Sequence, residues 1–191
     1  MTGRTHDLAA FTALNYLFVT QPLVHTSIAT VFVTIGANML GGVAPDIDQA
    51  TAQFWQRLPA GSIISRLITP ILGSHRMISH SFLGIFIASL LSRWILDALK
   101  NVLIVDMNLV WIGFMIGFIS HIVMDIISKE GEPLLFPLPF KFGIPPFRFL
   151  RLTTGGMMEK TIIFPSLMLF NGYLIYTNYH KFLDFLKIYI K

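Results

Sequence analysis

The chain has 191 residues, 54% of them hydrophobic and only 13% charged, where a soluble domain carries about 25% charged residues. That balance excludes an ordinary soluble globule and predicts an integral membrane protein, with residues 1–191 forming a single membrane-embedded domain. Cysteine is absent, which excludes disulfides, thiolate metal sites and a cysteine nucleophile. The net charge of +4 suits an anionic membrane surface and is no argument for nucleic-acid binding.

Taken in order, residues 1–7 are polar and residues 8–20 form an apolar run interrupted by Asn15. That run is too short to span a bilayer and has no cleavage site, so it predicts a retained short N-terminal helix. Residues 24–43 predict a first full span, closed by Gly41, Gly42 and Pro45 and followed by Asp46 and Asp48. Residues 49–74 are more polar and broken by Pro59, Gly61, Pro70 and Gly73, which predicts short amphipathic helices at the interface. A second span is expected over residues 79–98, opened by the sequence HRMISHS, and a third over residues 110–128. Residues 129–151 are rich in Phe and Leu, but Pro133, Pro137, Pro139, Pro145 and Pro146 exclude a regular helix. They predict a loop, or a hairpin pairing residues 134–138 with residues 140–144. A last span is expected over residues 161–179. The predicted class is therefore an all-α polytopic bundle with about four full spans plus the short N-terminal helix.

Polar residues inside such spans are costly and mark function. His121 and Asp125 lie four apart, on one helix face, where they can share a metal ion or hydrogen-bond each other. If His6 starts on one side of the membrane, the predicted crossings return Asp46, Asp48, His75, His80, His121, Asp125 and Glu159 to that side. His25 and His180 fall on the other. Asp46, Asp48 and Asp125 follow helix C-termini, where the macrodipole is already negative, so they repel unless a cation intervenes. One or two divalent ions are expected, zinc first and manganese as its rival, since the available donors are His and carboxylate. Asp46 and Asp48 can reach two ions or bridge them. Glu159 starts a helix, where a carboxylate is favourable in any case.

The PDID after an apolar helix, the HRMISHS opening the next and the SHIVMD near the end of the span over residues 110–128 resemble the LexA-regulated, membrane-bound metal-dependent hydrolase family. The PLLFP stretch and the N-terminal His resemble it too, so that the likeness covers about residues 5–160. It implies a small helical bundle in a bacterial inner membrane, a metal site at one face and a hydrolase activity. A fainter similarity is to zinc-dependent phospholipase C, which also uses a His-x-x-x-Asp helix; this chain lacks the N-terminal Trp ligand of that group.

A metal site at the membrane face suits a lipid or lipid-linked phosphoester, with membrane lipids as partners. Asp48 is then the expected proton acceptor and Arg76 the expected clamp on an anionic oxygen. A transporter, or a protein whose metal is purely structural, is the alternative. Arg4, Arg57, Arg66, Arg76, Lys129, Lys141, Arg148, Arg151 and Lys160 fall on the site side, against Arg93, Lys100, Lys181, Lys187 and Lys191 opposite. That bias predicts a cytoplasmic site.

Overall fold

The computed structural model describes residues 1–21, 26–56, 59–72 and 77–187. The helices are α1 (Gly3–Thr20), α2 (Ile28–Gly41), α3 (Gln53–Gln56), α4 (Gly61–Leu72), α5 (Phe82–Leu99), α6 (Met107–Ile126) and α7 (Phe164–Lys187). A 3-10 turn over Ala44–Asp48 and a π-turn over Glu159–Ile163 punctuate them. The all-α expectation describes these elements, but the expected number of spans does not. Among the described residues only α5 and α6 are long and apolar enough to cross a membrane, not about four helices.

The physical reasons are local. Ser27 caps α2 through Thr30 N, so that helix has 14 residues and a length of about 21 Å against a hydrocarbon core of about 30 Å. Helix α7 is long, but Asn171, Asn178, His180 and Lys181 dilute its apolar character, and it kinks at Asn178. The N-terminal helix is not short: α1 runs for 18 residues, with Arg4, His6, Asp7 and Asn15 within it.

Helix α6 is the centre of the bundle, packed on α2, α1 and α5. Its contact with α2 is made backbone to backbone. A Cβ on Gly117 would lie 2.1 Å from the Asn38 carbonyl oxygen, and one on Gly41 would lie 2.1 Å from that of Phe114. The Asn38 amide donates to the Gly113 carbonyl across the same seam. Such small-residue seams let helices approach closely where lipid removes the hydrophobic drive to associate. Helix α5 is scarcely buried and stands apart from α2. Helix α4 keeps Ile63 and Leu67 exposed, as an interfacial helix does.

Residues 129–152 do not form the expected hairpin. Glu132 pairs with Phe142 in one antiparallel bridge, and Ser128 with Leu152 in one parallel bridge. Prolines remove the donors a longer ladder needs. The loop is held instead by Arg151, whose guanidinium donates to the Pro145 and Pro146 carbonyls, and by Phe82 N donating to Leu134 O.

Candidate metal centre

His121 and Asp125 continue the stripe that Gly113 and Gly117 begin on α6, one residue per turn on the face toward its neighbours. His121 Nδ1–H donates to the Gly42 carbonyl at 2.7 Å. A carbonyl only accepts, so the tautomer is fixed and Nε2 carries a lone pair. His6, at the end of the first turn of α1, stacks on His121 with ring centroids 3.7 Å apart and planes 9° from parallel. Its Nε2 lies 3.2 Å from Asp125 Oδ1, an oxygen to which the Met1 nitrogen also donates.

Asp46 and Asp48 come from the 3-10 turn, which has Pro45 in its first turn and which Trp55 Nε1–H pins through the Ile47 carbonyl. With three residues per turn, a spacing of two sends the carboxylates in different directions. Asp46 Oδ1 lies 3.7 Å from both His80 Nε2 and His121 Nε2. Asp48 Oδ2 accepts from Ser79 Oγ at 3.0 Å, and Ser79 Oγ accepts from His80 Nδ1–H at 2.9 Å. That relay orients the His80 ring and turns its Nε2 toward Asp46. His80 sits in the turn before α5, whose N-cap is Ser81.

Three overlapping groups of donors result: His6, His121 and Asp125; Asp46, His80 and His121; and His80, Asp125 and Glu132. Within each group the donor atoms lie within 4.8 Å of one another. All six residues but Asp46 are buried. The Nε2-to-oxygen separations of 3.7 and 3.8 Å are too long for hydrogen bonds. They suit donors sharing one ion, since tetrahedral bonds of about 2.0–2.2 Å set ligand atoms roughly 3.3–3.6 Å apart. Three carboxylates also converge on three imidazoles, which a divalent cation balances. The residues therefore fit a divalent-metal site.

Glu132 was not anticipated from the sequence. The bridge to Phe142 places it, with Glu132 N donating to Phe142 O at 2.7 Å and the reverse bond at 2.8 Å. Glu159, by contrast, joins none of the three groups. Its Oε1 accepts from Thr2 N, Thr2 Oγ1 and Thr5 Oγ1, and its Oε2 from Gly155 N. Burial raises its pKa, but these bonds outweigh burial and hold the carboxyl at about 2, below its ordinary 4.5. Glu159 thereby fixes the start of α1, and with it His6. His75, Arg76 and His25 lie outside the described residues; His180 is on α7.

Fold and site together define a helical integral membrane protein with a buried cluster able to hold a divalent metal. The chain belongs to the YdjM inner membrane protein family, whose model matches residues 1–183, and it is accordingly a bacterial inner-membrane protein. It is similar to the protein YvsG of Bacillus subtilis, 27% identical over 94% of this chain and 98% of that protein. It is similar also to the inner membrane protein YdjM of Escherichia coli, 35% identical over 67% of this chain and 60% of that protein. YdjM of Shigella flexneri matches to the same extent. No solved structure matches the chain.

Proposed function

We propose that this protein is a membrane-bound, metal-dependent hydrolase whose single domain cleaves a lipid or lipid-linked phosphoester at the membrane surface. The observation that carries this reading is the sharing of His80, His121 and Asp125 among three overlapping donor groups, the economy expected of adjacent ions held between common ligands. Zinc is the first expectation for these ions and manganese its rival. A bound divalent ion supplies Lewis acidity, which acidifies water and offsets charge on a phosphoryl oxygen.

The chain's own residues do the rest. Gly42 and the Ser79–Asp48 relay hold His121 and His80 in the tautomers whose Nε2 atoms face the cluster. Asp48, at the edge of the cluster, is the proton acceptor in this reading, and Arg76 pairs with an anionic oxygen. Phe140, Phe147, Phe149 and Met157 are exposed on the segments that follow α6. Aromatic and apolar side chains there support immersion of this end in the headgroup region, where a lipid ester bond lies. Lys129, Lys141, Arg148 and Arg151 on the same loop support a cytoplasmic face.

Purified protein incubated with phosphatidylglycerol vesicles tests the proposal. Chelation should abolish release of the head group, and zinc or manganese should restore it. Zinc flux into liposomes without ester cleavage would replace the hydrolase with a transporter.

A further inference from the structure

A groove of about 680 Å³ runs between α2, α5 and α6. Its polar lining is concentrated at one end, where Asp48 and Ser79 meet it; these two residues form the relay to His80. From there the walls are almost wholly apolar, past Ala37, Ile87 and Leu91 to Leu99 and Leu103. The mid-groove hydroxyl of Ser92 is already donated to the Ser89 carbonyl. Between Gly84 and Leu99 the groove follows α5 for about 22 Å at 1.5 Å per residue. That is longer than one leaflet's share, about 15 Å, of the hydrocarbon core.

We propose that this groove is a tail channel, holding one extended acyl chain of a glycerophospholipid whose head group lies at the Asp48–Ser79 end. The inference rests on the hydrolase reading for what happens to the head group and deepens it by naming the substrate class. The volume is that of a small-ligand site, the length is that of one long acyl chain, and the single polar end abuts the donor cluster. A neighbouring transmembrane helix would have no use for that polar end. Gly36 forms part of the α2 wall, and a Cβ there would meet nothing within 4 Å. The wall is therefore open at a position where bulk can be added without disturbing the packed seam with α6.

The test uses the full chain in nanodiscs and a phosphatidylglycerol carrying a diazirine at the end of one acyl chain. A channelled chain carries its end to Leu96, Leu99 and Leu103, whereas a bulk lipid chain ends near the middle of α5, around Leu90. We expect saturable cross-links at the first set, lowered at least tenfold by Gly36→Phe and unchanged by Gly36→Ala. Leu91→Trp, from the opposite wall, should give the same block should Gly36→Phe fold poorly. Labelling confined to the middle of α5 around Leu90, or indifferent to both bulky variants, overturns the channel. Displacement of the probe by a polyprenyl phosphate at lower concentration than by unlabelled phosphatidylglycerol overturns the acyl assignment. Labelling requires no turnover, so saturable cross-links in a protein that hydrolyses nothing would support the channel and contradict the hydrolase.

Discussion

The hydrogen bond from His121 Nδ1–H to the Gly42 carbonyl, 2.7 Å long, joins the donor cluster directly to the α2–α6 seam. Gly42 directly follows α2, and His121 lies one turn beyond Gly117 on α6. Whatever sets the distance between the two helices therefore sets the tautomer and direction of the imidazole.

Separating the helices should damage the metal site from a distance. In Gly117→Ala the new methyl would meet the Asn38 carbonyl oxygen, a backbone atom that cannot step aside. Overpacking of this kind costs about 1–3 kcal/mol, so thermal unfolding should shift down and bound metal should fall. Gly36→Ala, with open space around it, should change neither.

The relay through Ser79 separates orientation from ligation. Ser79→Ala removes the acceptor for His80 Nδ1–H and should weaken metal affinity roughly 10–100-fold, as loss of an outer-shell partner does. Asp48→Asn, in contrast, should retain most of the metal while abolishing hydrolysis, because the amide cannot take a proton. Metal content and turnover measured on both variants distinguish the two roles. Equal loss of metal in both would remove Asp48 as the base.

Glu159 should confer an acid limb on stability. Its carboxyl is held at about 2 in the fold and titrates near 4.5 when unfolded. Its contribution is complete above about pH 4.5 and is lost as pH falls toward 2, because protonation then favours the unfolded chain. Thermal unfolding across that window should show a fall in wild type that is blunted in Glu159→Gln. Unchanged metal content in Glu159→Gln at pH 7 would agree with its absence from the donor groups.

Orientation is open to a direct check. The loop joining α5 to α6 lies at the end away from the cluster and is exposed, with Val102 and Ile104 facing outward. A reporter enzyme inserted after Asn101 should show outer-side activity if the site is cytoplasmic. A cytoplasmic signal would put the cluster on the outer face.

The gathering of His6, Asp46, His80, His121 and Asp125 was legible in the sequence because each stands at the end of an apolar segment, and alternate ends share a face. Glu132 was not, since its inward direction depends on a single bridge to Phe142 across a proline-rich loop. Four-residue spacing from Gly113 through Gly117 and His121 to Asp125 is visible in the chain and is the signal that would have located the α2–α6 seam. Apolar composition alone overstates the number of spans, because it does not register the Ser27 cap that shortens α2 or the asparagines that interrupt α7. Glu159 reads equally well from sequence as a ligand or a helix-start charge; Thr2 and Thr5, far away in the chain, decide its surroundings.

Elemental analysis of the purified protein tests the metal centre most directly. After equilibration with zinc or manganese and removal of the excess, wild type should retain one or two ions per chain. His121→Ala, Asp125→Ala and Glu132→Ala should each lower that occupancy, His121 and Asp125 most, since each serves two of the donor groups. Folded wild-type protein that retains no divalent metal under these conditions would contradict the site.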